Sequence, residues 1–228
     1  ERRELVPLAR NVGFVAAANL GAERSAGDIV LLNSDTEVTP GWLEALGRCL
    51  ASAPEVATAT PWTNNGEIVS IPRFCAVNPP PEDADALAEC LRRAGAPSYP
   101  ELPTAVGFCM AVSRRAMDEL GLFDAEAFGR GYGEENDFCL RAVAAGWRNL
   151  LCDDAYVVHH GGRSFAPLGL KPGAESMARL LARHPGYERM IGEWIARDPL
   201  RERRQEVLAA CFAKPSVRIS GDERRGWA

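Results

Sequence analysis

The 228-residue chain predicts an α/β fold, a mostly parallel sheet flanked by helices with a helical extension at its carboxyl end. Three observations predict it. Leu5–Leu8, the alanine-rich stretch Phe14–Arg24 and the run Ile29–Leu32 read as strand, helix and strand, one short βαβ unit. Ile29-Val30-Leu31-Leu32 is continuously apolar, the pattern of a strand buried on both faces of a sheet. Beyond Pro167, apolar residues recur at helical spacing: Met177, Leu180 and Leu181, then Met190, Ile191 and Trp194, then Val207 and Leu208. The expected organisation is one domain over residues 1–165, with an extension over 166–228 packed on it.

The remaining elements follow in order. The first helix begins after Asn11 and Gly13 and closes at the Ala26-Gly27 break. Thr39-Pro40 reads as a capping side chain followed by proline at the first helical position. That helix carries Trp42, Leu43, Leu46 and Leu50 and stops before Pro54; Val56–Thr60 is the next strand. From Pro61 to Pro103 the chain is rich in proline and polar residues, with a helix at Asp83–Arg93. It reads as an inserted, loop-rich region of the kind that carries selectivity. A strand at Val106–Val112 and a helix at Arg114–Leu120, closed by Gly121, come next. They are followed by a glycine-rich loop (Phe128–Gly133), a helix at Glu134–Ala145 and a strand at Ala155–Val158. No internal repeat is visible, and the last eight residues show no periodicity.

Composition narrows the class. The chain is 46% hydrophobic and 25% charged, the balance of an ordinary globular protein. No apolar run approaches the roughly 18 residues of a membrane span. A net charge of -5 argues against a nucleic-acid binder, which would carry a basic stripe. Arg201, Arg203 and Arg204 cluster, but acids sit among them, which fits a solvated helix face. Seven cysteines without a CxxC pair fit a reducing compartment, so a cytoplasmic location is expected.

Chemistry concentrates in three places. Asn33-Ser34-Asp35 follows a buried strand directly, where a carboxylate emerges at the sheet edge that binds ligands in open α/β folds. There it could hold a hard divalent cation; the plainer reading is a turn of self-bonding polar residues. In Gly131-Tyr132-Gly133-Glu134-Glu135-Asn136-Asp137, the helix macrodipole and an i, i+4 pair with Arg141 account for Glu134 and Asp137. Glu135 is different, because it shares a helical stripe with Phe138, Cys139 and Ala142 and so faces inward as a candidate general base. In Val157-Val158-His159-His160, adjacent strand residues point to opposite faces, so one histidine alone should reach the cleft. It could ligate a metal as neutral imidazole or serve as an ordinary structural residue. Cys152 and these histidines lack the paired spacing of a zinc site.

In combination these stretches resemble glycosyltransferase family 2, inverting enzymes of the GT-A fold, a partial Rossmann-like sheet. The matching segments are NVGFVAAANLG, GDIVLLNSDTEVTPGWLEAL, GFCMAVSRRAMDELGLFD, GYGEENDFCLRAVAAGWR and VVHHGGRSF, spanning about residues 10–165. The resemblance is closest to bacterial members that build surface polysaccharides. It implies that Asp35 binds Mg²⁺ or Mn²⁺ at the DxD position, with Asn33 replacing the first carboxylate on the donor side. It implies Glu135 as the general base, with glutamate in place of the family's aspartate, and His159 rather than His160 at the metal or diphosphate. Asn11 and Gly13 would lie beside the nucleotide, Gly107 and Phe108 would line the sugar pocket, and Glu134 and Asp137 would stand on the acceptor side or support the base. The implied partners are a nucleotide-sugar donor and a glycan or lipid-linked acceptor, with work at the cytoplasmic face of the inner membrane as a second expected location.

The family also begins with a strand of the IPVYN kind, then a helix and a second strand whose aspartate reads the base. By that comparison residue 1 enters near the third strand, and the expectation is a domain without its first strands. Two rival classes stay open at this point: a catalytically silent sugar-nucleotide or glycan-binding module, and a metal-dependent hydrolase of phosphate esters.

Overall fold

The computed structural model describes residues 4–129, 131–161 and 174–212. Six strands form its sheet: β1 (Ile29–Leu32), β2 (Thr36–Val38), β3 (Val56–Trp62), β4 (Glu101–Leu102), β5 (Cys109–Val112) and β6 (Arg148–His159). They lie in the order β1-β5-β3-β6-β2, with β4 also paired to β6. Nine helices among the described residues surround them: α1 (Phe14–Glu23), α2 (Trp42–Leu50), α3 (Ala84–Arg93), α4 (Arg114–Leu120), α5 (Ala125–Phe128), α6 (Glu134–Ala144), α7 (Ala174–Arg183), α8 (Tyr187–Arg197) and α9 (Arg201–Phe212). A short 3-10 turn spans Glu67–Val69.

The expectation of a mostly parallel sheet is corrected. Only β3 and β6 pair in parallel; β1 with β5, β3 with β5, β2 with β6 and β4 with β6 are antiparallel. The cause is the position of β5, which runs back between β1 and β3. Since both flank β5 antiparallel, β1, β3 and β6 still share one direction. An apolar run reports burial, not the direction of its neighbour.

Two further expectations at the amino end fail. Leu5–Leu8 is not a strand, and Leu5 lies 90% exposed with no sheet partner. Ile29–Leu32 is not buried on both faces: β1 is the sheet's edge, Ile29, Val30 and Leu31 are half-buried, and Leu32 is exposed. Thr39 does not cap α2 either. Gly41, at φ 79°, precedes the helix, and the Thr39 hydroxyl donates to the Tyr156 carbonyl at 2.6 Å, tying the loop to β6. Asp83 does cap α3, accepting from the Ala86 amide at 2.8 Å.

Alternation along the strands divides the core between the two sheet faces. Cys109 and Ala111 of β5 face the cluster built with Leu46, Leu50, Leu87, Leu91, Val207 and Leu208, which lie on α2, α3 and α9. Met110 and Val112 face Val15, Met117, Phe138 and Leu180, from α1, α4, α6 and α7. The helices after residue 173 therefore meet both faces. α9 is anchored by Arg203, whose Nε lies 2.6 Å from the buried Asp153 carboxylate, and α7 by Arg183 to Asp124 at 2.6 Å. The expected domain boundary at 165/166, like Gly162-Arg163-Ser164-Phe165, lies outside the described residues. Among the described residues no helix is long and apolar enough to cross a membrane.

β6 is far longer than Ala155–Val158 because buried polar groups interrupt its apolar pattern. Each is satisfied: Thr58 donates to Asn149, Ser98 and Tyr99 amides donate to Asp153, and Arg48 pairs with Asp154 at 2.8 Å. The expected strand at Val106–Val112 is shorter, beginning at Cys109, and leaves Val106, Gly107 and Phe108 as irregular backbone.

Candidate functional site

Because β1, β3 and β6 share a direction, their carboxyl ends emerge at one sheet edge together with the start of β5. There the chain leaving β1 turns at 34–35 and returns as β2, with Thr36 paired opposite His159. Three bonds hold this turn. The Thr36 hydroxyl donates to Asn33 O at 2.7 Å, the Asn33 amide donates to Phe108 O at 2.9 Å, and the His160 amide donates to Asp35 O at 3.0 Å.

The turn buries the Asp35 side chain against His159, Oδ1 to Nε2 at 3.6 Å. Among the described residues no hydrogen-bond donor reaches Asp35 Oδ1. The other ring nitrogen of His159 lies 2.5 Å from the Asn65 carbonyl, which can only accept, so Nδ1 carries the proton. In the neutral ring Nε2 then presents a lone pair toward Asp35. A buried carboxylate oxygen facing a half-buried imidazole lone pair without a proton between them is costly unless something positive joins them. Aspartate oxygen and imidazole nitrogen suit a divalent cation of the Mg²⁺ or Mn²⁺ kind. Among the described residues no group of three or more His, Cys, Asp or Glu side chains converges, so these two are the protein donors on view.

His159 is itself held in place. Asn64 clamps its backbone, Oδ1 accepting from the His159 amide at 2.9 Å and Nδ2 donating to its carbonyl at 3.0 Å. Nδ2 also donates to Asn78 O at 3.1 Å. The Phe108 ring stacks on the imidazole with centroids 5.2 Å apart. His160 turns to the opposite side, with Nε2 2.7 Å from Glu37. Sequence reasoning missed Asn64 and Asn65. The signal was present, since Thr63-Asn64-Asn65-Gly66 leaves a buried strand as abruptly as Asn33-Ser34-Asp35 does, but it read as the start of the insertion. Asn64→Ala should destabilise the fold by about 1–3 kcal/mol and weaken cation binding by about 10–100-fold. Thermal denaturation and an Mn²⁺ titration check the two effects separately.

Glu135 reaches the same edge from α6. A side-chain carbon built on Gly107 would lie 3.7 Å from the Glu135 carboxyl carbon, so the two are in contact next to Phe108. Phe138, Cys139 and Ala142 on its stripe are fully buried. The Gly133 amide donates to Glu135 Oε2 at 3.2 Å. Burial raises the Glu135 carboxyl above the ordinary glutamate range, against the hydrogen bonds that favour its charged form. Glu134 is buried beside it, with Oε2 unpartnered. Burial, and then the charge of Glu135, push Glu134 up to about 8. Glu134 therefore keeps its proton at neutral pH, and the hydrogen bond it offers favours the charged form of Glu135 against the burial that opposes it.

Asp137 does other work. Arg141 Nε bonds one oxygen at 2.9 Å, and His184 Nε2 and Arg183 Nη1 meet the other at 3.0 and 3.4 Å. Burial opposes its ionisation, but the bonds from His184 and Arg141 prevail and hold it below the usual range. It pins the end of α7 to α6. Asn11 and Gly13 form an exposed turn, Oδ1 accepting from the Gly13 amide at 2.9 Å, and no described contact joins them to Asp35 or His159. Their neighbour Phe14 packs against Gly131 of the glycine loop.

No family model matches the sequence. Uncharacterized proteins of Mycobacterium tuberculosis and Mycobacterium bovis are 27% identical over 161 residues, covering 68% of this chain and 56% of theirs. The chain thus spans about half the length of the curated relatives it matches. Among solved structures, GalNAc-T7, crystallised with UDP, GalNAc and Mn²⁺, superposes with a TM-score of 0.53 at 16% identity, over 77% of this chain and 35% of that one. The fold is GT-A-like. On this GT-A-like sheet the contact of buried Asp35 with half-buried His159 and the raised Glu135 carboxyl lie at one edge, linked through Phe108 and Gly107.

Proposed function

We propose that the chain is the catalytic part of a metal-dependent glycosyltransferase that moves a sugar from a nucleotide-sugar donor to an acceptor hydroxyl with inversion. The observation that carries it is the contact of Asp35 Oδ1 with His159 Nε2, which no described donor satisfies, on a GT-A-like fold whose same sheet edge carries Glu135 near Gly107. Asp35 and His159 would hold a divalent cation, which when bound neutralises the charge of the leaving diphosphate. GalNAc-T7, similar in fold, was crystallised with UDP, GalNAc and Mn²⁺.

The residues of the chain supply the rest. Glu135, whose charged form the hydrogen bond from protonated Glu134 favours, removes the proton from the acceptor hydroxyl. The acceptor oxygen then bonds to the anomeric carbon from the side opposite the nucleotide, the bond to the diphosphate oxygen breaks, and one displacement inverts the centre. Asn33 and, further out, Asn11 and Gly13 are assigned to the donor, with Gly107 and Phe108 lining the transferred sugar. The same reading places residues 1–165 as the catalytic unit, residues 166–228 as its helical extension, and the reaction on the cytoplasmic side, at or near the inner membrane.

The test is incubation with UDP-, GDP- and dTDP-sugars, Mn²⁺ or Mg²⁺, and a mixture of methyl glycosides, reading both nucleotide release and glycoside mass. Cation-dependent mass gain supports transfer. Nucleotide-sugar binding without any transfer would replace it with a binding module, and inorganic phosphate release without an acceptor with a hydrolase.

The carboxyl pair makes a separate prediction for stability. Glu134 binds its proton more tightly folded than unfolded, so stability is full below the unfolded value near 4.5 and declines as pH rises through about 8. Glu134→Gln removes that ionisation while keeping shape. The variant should gain on the parent by about 1–3 kcal/mol between pH 6 and pH 9 in urea denaturation. A constant difference across that range contradicts the assignment.

A further inference from the structure

Asn65 meets the His159 ring with its backbone carbonyl and sends its side chain to a different place. It is the third residue beyond β3, and the backbone on both sides of it is fixed. Ahead of it, Thr63 Oγ1 lies 3.5 Å from the Asn65 amide, and the Asn64 carbonyl accepts from the Asn78 amide at 2.9 Å. Behind it, the Gly66 amide donates to Ser70 Oγ at 2.9 Å. A side-chain carbon on Gly66 would run into the Thr63 methyl group and lie 3.2 Å from Phe108 Cε1. A backbone held this firmly fixes the point from which the Asn65 side chain starts.

That side chain reaches the chain leaving β6. A side-chain carbon built on Gly161, two residues past His159, would collide with Asn65 Nδ2 and lie 3.4 Å from Asn65 Cγ. Gly161 also sits at φ 67°, so its backbone and the nearness of the amide both require a residue without Cβ. The three residues 159–161 therefore gather the site: His159 faces Asp35 Oδ1, the His160 amide donates to Asp35 O at 3.0 Å, and Gly161 packs against the Asn65 amide. Asn65 is half-buried, and the bonds it makes among the described residues, to Thr63 and His159, come from its backbone.

A divalent cation between Asp35 and a neutral His159 keeps one positive charge, and two protein donors leave most of its shell to oxygens from elsewhere. An anion with several oxygens, such as a diphosphate, suits that arrangement, and its oxygens that do not touch the cation need hydrogen-bond donors. The Asn64 amide is already bonded to the His159 and Asn78 carbonyls, the Thr36 hydroxyl to the Asn33 carbonyl, and His159 Nδ1 to the Asn65 carbonyl. A neutral amide supplies a donor without repelling the cation, as a lysine or arginine would. We propose that Asn65 binds the donor substrate: its Nδ2 donates to a phosphate oxygen of the diphosphate held at Asp35 and His159, and Gly161 leaves that amide its room. The proposal rests on the transferase reading of the cation site.

The experiment uses the full chain with Mn²⁺ alone and with Mn²⁺ plus inorganic pyrophosphate, which has the diphosphate chemistry without base or sugar. Calorimetric titration reads both affinities, and the parent binds pyrophosphate when Mn²⁺ is present. Asn65→Ala keeps the carbonyl on His159, so it should hold Mn²⁺ within about twofold of the parent and bind pyrophosphate on the order of tenfold more weakly. Asn65→Asp, of the same shape, should lose more, because a carboxylate cannot donate and repels the phosphate. Gly161→Ala should weaken pyrophosphate in the parent and add little to the loss in the Asn65→Ala chain. Four results overturn the proposal: no pyrophosphate binding by the parent, parent-like binding by either Asn65 variant, Mn²⁺ affinity falling as far as pyrophosphate affinity, or a Gly161→Ala loss undiminished without the amide. The nucleotide-sugar panel separates the two claims. An Asn65-dependent pyrophosphate site in a chain that transfers no sugar defeats the transferase reading alone, and transfer by a chain whose pyrophosphate binding ignores Asn65 defeats this proposal alone.

Discussion

Glu135→Gln is expected to lose transfer by about 10²–10⁴-fold, the usual contribution of a positioned general base, while donor binding is retained. The substitution keeps the side chain's length and its place against Gly107, and removes only the ability to take a proton. Because burial raises the Glu135 carboxyl, the rate of the parent chain should climb with pH along a limb above the ordinary glutamate range. The base must be ionised to work, so the sign is fixed: a raised carboxyl moves the limb toward neutrality. Glu135→Asp should keep a fraction of the activity and the same limb. Initial rates across pH, with donor affinity titrated in parallel, check all three statements. Unchanged turnover in the glutamine variant would remove Glu135 from the mechanism.

The second large effect belongs to Asp35. Its Oδ1 faces His159 Nε2 at 3.6 Å with no donor between them. Asparagine at this position brings an amide that can donate to the imidazole lone pair. Asp35→Asn should therefore be at least as stable as the parent in the absence of cations, and should lose the stabilisation by Mn²⁺. A saturating ligand at a hundred times its dissociation constant stabilises a fold by about 2.7 kcal/mol, so the parent's thermal shift is measurable. The alternative physical account of the contact is an ion pair with a doubly protonated His159. That account predicts the reverse, since removing one partner of a buried pair is destabilising. A thermal scan of parent and variant, each with and without Mn²⁺, separates them. A lower melting temperature for the variant together with no cation shift in the parent would end the metal assignment.

How much of this was legible in the sequence depends on whether a feature is local. The helix at Arg114–Leu120 has its expected bounds, and α6 begins at Glu134 as expected, because Gly121 and the glycine loop end and start them within a few residues. Glu135 was separable from Glu134 and Asp137 for the same reason: helical spacing alone puts it on the stripe of Phe138, Cys139 and Ala142. Strand alternation said that one histidine alone should reach the cleft, the resemblance picked His159, and the structure gives the two rings different partners, Asp35 for His159 and Glu37 for His160. By contrast, β6 was cut short because Asn149, Asp153 and Asp154 look like solvent-facing residues until their partners on β3, α2 and α9 are known. β2, three residues long, exists only by pairing with the end of β6.

The sequence by itself determined most of the helices and the polar turn that leaves the first strand, since each depends on residues within one or two turns of one another; it did not show that Glu134 and Asp137 are buried more deeply than Glu135. Tertiary structure decided the rest. Placing β5 between β1 and β3 made the sheet mostly antiparallel and brought Gly107 and Phe108 to the edge where Asp35 and His159 emerge. It also set Asn64 on the His159 backbone and His184 against Asp137 of α6. The physical reason is that pairing direction and long-range hydrogen bonds are settled by which surfaces and polar groups can be satisfied together, and a linear pattern carries no record of that partner.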